Sequence, residues 1–252
     1  MDKTRVSRAG CESKTMKVVM IHDCANVGHE LIKELKNFNI EIDQFLYYDK
    51  KGLTLSKLVN IPKLLLKIKN YNPDLIHAHY LGYSGMIAKI SGRKYVIHVH
   101  GSDVRNKRLS FFQEWVLESA SCIVYSTPDL KHFLPKRAIY LQTPIGKQFI
   151  NMKIKRVIND AFRPVKYEKN MNFYAIKDIE YKEMPLILNS INIFHDRKTI
   201  KSLSKTALEA LACGCKVIDF NGNQHIIFPE KHRADNVAFK LHQIYKGVLD
   251  DS

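Results

Sequence analysis

No run of eighteen apolar residues occurs in the 252-residue chain, so no membrane-spanning helix is expected. The polar, basic leader over residues 1–15 lacks the apolar core of a signal peptide, and the expected location is cytoplasmic. Cysteine is sparse, odd in number and scattered: Cys11, Cys24, Cys122, Cys213 and Cys215. Cys213-Gly214-Cys215 is too tight for a zinc knuckle, so the cysteines read as reduced thiols. A helix-turn-helix, an RNP aromatic motif and a Cys/His finger are all missing, and nucleic acid is not an expected partner. A P-loop and a full Gly-x-Gly-x-x-Gly run are missing too, which argues against a dinucleotide oxidoreductase. Asn26-Val27-Gly28 supplies only one glycine after the first strand, where Gly28 would permit a close approach of substrate.

Acidic residues are the minority, 25 Asp plus Glu against 40 Lys plus Arg, for a net charge of +15. Such a surplus favours an anionic partner. Residues 55–70 (LSKLVNIPKLLLKIKN) interleave lysine with leucine and isoleucine. That pattern fits a basic interfacial helix on the anionic inner face of a membrane, and equally an ordinary amphipathic helix broken near Pro62.

With 45% hydrophobic residues the chain suits a globular protein. Strands are expected near 17–22, 40–47, 74–79, 94–99, 121–126 and 137–141, with helical patterns at 27–37, 57–69, 83–90 and 110–119. This βαβ rhythm predicts a doubly wound parallel sheet with right-handed crossovers. Regular apolar spacing then stops until about Asn172, where strand–helix units resume and run to a final helix expected within 233–248. The expected division is a flexible leader (1–15), an N-terminal Rossmann-like domain (16–146), a basic linker (147–171) and a C-terminal domain (172–252).

Two blocks carry chemistry. Residues 74–80 (DLIHAHY) and 94–105 (KYVIHVHGSDVR) are apolar strands that each finish in His-x-His. Period-two alternation puts His77 with His79, and His98 with His100, on common faces. Ligands collect outside the carboxyl ends of parallel strands, where His79, His100, Ser102 and Asp103 fall. The four histidines could also converge on a metal ion, but no acidic ligand set accompanies them and no metal site is expected. The second block is residues 204–220 (SKTALEALACGCKVIDF). Thr206 and Glu209 fit a capping box, Gly214 fits a left-handed helix end, and 216–220 reads as a buried strand.

Residues 204–220 resemble the LEAxACGxPVI signature of family 4-type glycosyltransferases. HGSD after a strand resembles the acceptor-side loop of that family, and residues 17–35 (KVVMIHDCANVGHELIKEL) are similar to its opening strand, turn and helix. The resemblance covers roughly 16–146 and 181–220. It implies an α/β, GT-B-like fold of two Rossmann-like parallel-sheet domains facing across a cleft. It also implies a metal-independent glycosyltransferase of hexosyltransferase type, which moves sugar from a nucleotide-sugar co-substrate to a hydroxyl acceptor, glycan or lipid-linked, with no further cofactor. Glu209 would hold the donor ribose, with Gly28, Lys198, Lys205 and Gly214 on the donor side. His100 and Asp103 are the expected catalytic pair, His100 because an unperturbed imidazole titrates near neutrality, with His79 and Ser102 on the acceptor side.

The chain departs from the family in two places. Residues 150–172 leave room for a linker and one element, whereas a βαβ unit needs about 30 residues, so the second domain is expected to be incomplete. Lys201 stands where the paired-glutamate pattern calls for an acid. A dianionic leaving group requires positive charge, which Lys198, Lys201 and Lys205 could supply. The alternative is a non-catalytic remnant or a sugar- or nucleotide-binding subunit.

Overall fold

The structure, a computed structural model, describes residues 15–46, 55–105, 108–164 and 173–250. All but the last residue of the expected leader lies outside them. The first domain alternates β1 (Met16–Ile21), α1 (Val27–Leu35), β2 (Ile40–Phe45), α2 (Leu55–Tyr71), β3 (Leu75–His79), α3 (Tyr83–Ile90), β4 (Tyr95–Val99), α4 (Phe111–Ser119), β5 (Cys122–Tyr125) and β6 (Ile139–Tyr140). The six strands are parallel in the order β2-β1-β3-β4-β5-β6.

Both faces of this sheet are covered, which is why its central strands are nearly continuous apolar runs. Alternate residues feed two cores. Val19, Ile21, Ile76 and Ile97 belong to one, and Val18, Met20, Leu75 and Val96 to the other. α4 opens on a capping box in which Ser110 and Gln113 bond reciprocally. α2 runs unbroken through Pro62, contrary to the break expected there. Pro62 is exposed, so its ring meets water and not the core. Leu64, Leu65 and Ile68 of α2 turn inward against the core, while Lys63, Lys67 and Lys69 face outward.

The second sheet is built from β7 (Ile158–Phe162), β8 (Tyr174–Ala175), β9 (Ile191–His195), β10 (Lys216–Ile218) and β11 (Gln224–His225), with α5 (Met184–Asn189) before β9 and α6 (Lys205–Ala212) before β10. Its order is β11-β10-β9-β7-β8, and every pairing is parallel except the β10–β11 hairpin. β7 lies inside the stretch expected to be linker. Only Ala161 and Phe162 of that strand are buried, so its sequence carries little alternation, and its place is set by backbone pairing of Ile158 with Ile191 and Phe162 with His195.

The last helix, α7 (Ala234–Asp250), also departs from the expected division. It returns to the first domain, where Val237, Ala238, Leu241, Tyr245 and Val248 join Leu31 and Leu35 of α1 in one core. The outgoing and returning chains touch at the crossing. Ile145 donates its N–H to the His232 carbonyl at 2.7 Å and accepts from Ala234 at 3.0 Å. The fold is therefore two parallel-sheet α/β domains, the second smaller, with the C-terminal helix strapped to the first. Among the described residues, no helix is long and apolar enough to cross a membrane.

Candidate active site

Between the two sheets lies a cavity of 470 Å³. Ala25 and Asn26, in the turn after β1, form one wall; Tyr181, His195 at the end of β9, Arg197 and Lys198 in the following loop, and the first turns of α6 form the other, with Arg163 after β7. Four cations, Arg163, Arg197, Lys198 and Lys205, line it against two carboxylates, Asp196 and Glu209. The field inside therefore favours an anionic ligand.

α6 is placed by Asp196 and Ser204. Asp196 Oδ2 accepts the Ser204 N–H at 2.6 Å, and the Ser204 hydroxyl accepts the Ala207 N–H at 3.1 Å. Ser204 is thus the N-cap, and the expected Thr206–Glu209 capping box does not form. Thr206 already has helical geometry, and its hydroxyl instead accepts from Arg163 at 3.1 Å. Glu209 is free of capping duty and sits buried one turn into the helix, 2.5 Å from Lys205 Nζ. Burial raises the Glu209 pKa and the Lys205 charge opposes the rise. Lys205 also donates to the Tyr181 hydroxyl at 2.7 Å and lies over its ring, 4.4 Å from the centroid. The same hydroxyl reaches Glu30 of α1, which accepts from Gln148 at 2.8 Å. Tyr181 therefore links α6 to α1 of the first domain.

Gly28 and Gly214, both expected on the donor side, do not line this cavity. The Gly28 N–H is taken by Asp23 Oδ1 at 2.7 Å and the His29 N–H by Asp23 Oδ2 at 3.0 Å, so the start of α1 already holds a carboxylate of its own chain. Gly214 terminates α6 at the end away from the cavity, with φ +81°. There its N–H bonds to Leu211 and that of Cys215 to Ala210, the paired bonds of a Schellman turn. Lys198 and Lys205 line the cavity, whereas Lys201 is exposed and outside it.

The residues expected on the acceptor side gather at the carboxyl ends of β3 and β4. His79 Nδ1 is 2.7 Å from His100 Nε2, and His77 Nε2 is 3.1 Å from His98 Nδ1. Ser126, after β5, joins the pairs through His98 Nε2 at 2.9 Å and His100 Nδ1 at 2.8 Å. Desolvation lowers the pKa of all four histidines, His77 and His100 to about 3. This corrects the near-neutral titration expected of His100, which is held as a neutral imidazole with both nitrogens engaged. Asp103 is also committed to backbone. It accepts from the Leu81 N–H at 3.2 Å and the Gly101 N–H at 3.0 Å, and the amides of His100 and Asp103 itself also bond to it. Burial raises its pKa. The Ser102 hydroxyl meets Tyr80, whose own hydroxyl lies 2.6 Å from Cys24 Sγ in the turn that walls the cavity. His22, Ala25, Asn26 and Tyr80 all have positive φ, between 51° and 72°. Such geometry costs on the order of 1–3 kcal/mol per residue, and it clusters where strand ends form sites.

Sequence reasoning missed Arg163, Tyr181, Ser126 and Tyr80. Ser126 and Tyr80 immediately follow buried strands, so the strand-end rule that found His100 would have found them. Arg163 and Tyr181 come from stretches without apolar periodicity and gave no signal.

Residues 16–139, just under half of the chain, match the sequence model of Glycosyltransferase Family 4. The whole chain is similar in fold to sucrose-phosphate synthase from Thermosynechococcus elongatus, with a TM-score of 0.69 at 10% identity over 94% of this chain and 100% of that one. A glycosyltransferase from Rickettsia africae ESF-5 aligns with a TM-score of 0.57 at 10% identity over 94% and 90%. UDP-GlcNAc 2-epimerase from Methanocaldococcus jannaschii aligns with a TM-score of 0.60 at 10% identity over 90% and 100%. No curated protein matches the chain in sequence. The architecture is that of the GT-B class. Within that class, the first domain carries the family 4 pattern read from its sequence.

Proposed function

We propose that the protein is a glycosyltransferase that moves a hexosyl group from a nucleotide-sugar to a hydroxyl acceptor, glycan or lipid-linked, the nucleotide-sugar being the only co-substrate and no metal ion being required. The observation that carries this reading is the cationic cavity in which Glu209, Lys205, Lys198 and Arg163 converge beside a family 4 domain. Transfer from a nucleotide diphosphate leaves a dianion, and fixed cations in a partly dry cleft stabilise charge as it develops. In this reading Arg163 and Lys198, which line the cavity, would meet the diphosphate, and Glu209 would offer a carboxylate to ribose hydroxyls.

Release of nucleoside diphosphate from a panel of nucleotide-sugars, with and without lipid extract as acceptor, tests the reading. Turnover with one donor supports it. Nucleotide binding without any turnover replaces it with the alternative, a binding subunit or non-catalytic remnant.

A cytoplasmic protein touching an anionic membrane surface fits the charge, in a restricted form. The apolar side of α2 is used in the core, so Lys63, Lys67 and Lys69 would act by electrostatics alone. Binding to anionic vesicles should then fall steeply as salt rises and be lost in the Lys63→Gln, Lys67→Gln, Lys69→Gln triple variant. Undiminished co-sedimentation of that variant removes α2 from the contact.

A further inference from the structure

A single hydrogen-bonded file runs through the core of the first domain: Tyr245, His77, His98, Ser126, His100, His79. Its contacts are Tyr245 Oη to His77 Nδ1 at 2.7 Å, His77 Nε2 to His98 Nδ1 at 3.1 Å, His98 Nε2 to Ser126 Oγ at 2.9 Å, Ser126 Oγ to His100 Nδ1 at 2.8 Å, and His100 Nε2 to His79 Nδ1 at 2.7 Å. Beyond it, His79 Nε2 is buried and meets no hydrogen-bond partner. The rings are neutral, because desolvation disfavours their protonated forms.

The protons can be counted. Each neutral imidazole and each hydroxyl brings one, giving six protons for five contacts, and each contact uses one. An inner member has both polar sites inside contacts, so the surplus proton must lie at an end. Two arrangements remain. In the first, Tyr245 donates, every histidine carries its proton on Nε2, and one donor, His79 Nε2–H, is left over. In the second the file runs backwards, every histidine carries its proton on Nδ1, and both the Tyr245 O–H and the His79 Nε2 lone pair are stranded. Buried unpaired groups are costly, and the first arrangement strands one fewer.

We propose that Tyr245, on the C-terminal helix, is a positioning residue that acts through His77, His98 and Ser126 to hold the proton of His100 and His79 on Nε2. Only in naming these strand ends as the acceptor side does the proposal rest on the sugar-transfer reading. Its consequence there is definite. His100 offers no free lone pair, and the proton left over by the file lies on the buried Nε2 of His79.

The test uses the full chain with ¹⁵N-labelled histidine at neutral pH, in spectra that distinguish Nε2–H from Nδ1–H. The parent should show His77, His79, His98 and His100 all as the Nε2–H form. Tyr245→Phe keeps the ring and removes the root donor, leaving five protons for four contacts and ends of similar cost, so His79 and His100 should become mixtures of both forms. Ser126→Ala cuts the file at its middle and should leave His77 and His98 as Nε2–H while mixing His79 and His100. His79 in the Nδ1–H form in the parent overturns the proposal, as do pure Nε2–H signals at His79 and His100 in both variants. Stoichiometric zinc in the purified parent also overturns it, since His77, His79 and His98 hold ligand atoms within 4.8 Å of one another and a metal would displace the file. None of these readouts needs a substrate, so failure of the sugar-transfer reading would leave them standing.

Discussion

Acidification from pH 6 to pH 5 should destabilise the first domain by more than an ordinary buried group explains. His77, His79 and His98 are fully buried and His100 is partly so. Their pKa values lie below the ordinary 6.5, at about 3 for His77 and His100. Unfolding releases them to bind protons at about 6.5, so below that pH the unfolded chain holds more protons than the native one. Stability is then complete above about pH 6.5 and falls as pH drops toward 3. Each such proton is worth about 1.4 kcal/mol per pH unit. The three enclosed rings give a loss of about 4 kcal/mol between pH 6 and 5, and His100 adds at most about 1.4 kcal/mol. Asp103 and Glu209 act in the opposite sense, because burial raises their pKa values and the native state keeps their protons longer. Together they offset at most about 2.7 kcal/mol in the same interval. The expected net loss is about 1.4–5.5 kcal/mol, a large part of the ~5–15 kcal/mol that stabilises a typical domain. The chain has one tryptophan, Trp115 on α4, so its fluorescence in urea titrations at fixed pH reports the first domain. A loss below about 1.4 kcal/mol, or a gain, would refute the reasoning.

Gly214→Ala should lower the urea midpoint by more than ~1 kcal/mol of stability, because φ is +81° there and an added Cβ would lie 2.4 Å from Asn151 Nδ2. Ser204→Ala should cost about 1 kcal/mol through loss of the α6 cap, whereas Thr206→Ala should leave the cap intact; equal losses in thermal melts would return the cap to Thr206. Glu209→Gln should weaken nucleotide binding by ~1.5–3 kcal/mol, roughly 10- to 150-fold, and calorimetry showing unchanged affinity would remove its ribose role.

Legibility tracked burial. β1, β3, β4 and β5 are enclosed on both faces, so they appear in the sequence as apolar runs, and their bounds fell within a residue or two of those expected. Because side chains alternate, the same runs placed His79 and His100 together before any coordinates did. β7 was hidden for the opposite reason: only two of its residues, Ala161 and Phe162, are buried, and backbone pairing holds the rest. α7 was legible as a helix but not as part of the first domain, since an apolar face does not say which core it covers. Gly28 misled because a glycine after a strand looks open to a ligand, while the carboxylate that fills the turn, Asp23, lies five residues earlier. Pro62 misled because its ring lies on the exposed side of a helix that Leu64, Leu65 and Ile68 hold against the core.

The two halves of the site differ in what they can do for a sugar transfer. On the acceptor side, His100 has both nitrogens inside the hydrogen-bonded file and Asp103 is surrounded by backbone amides. Neither is free to take a proton while its part of the fold is closed, and there burial holds the His100 pKa at about 3 and makes the imidazole a weak base. What this side supplies is position: buried strand ends and a turn of positive-φ residues that reaches from Tyr80 through Cys24 to the cavity wall. Across the cleft the reverse holds. Arg163, Arg197 and Lys198 bring side-chain charge to the cavity, Arg163 while donating to Thr206, and Lys205 is shared between Glu209 and Tyr181. Stabilisation of a departing diphosphate can therefore come from the second domain without help from a base in the first. Under the proposed sugar transfer, the larger part of the barrier reduction would fall to the smaller domain, which brings Arg163, Arg197, Lys198 and Lys205 to the cavity.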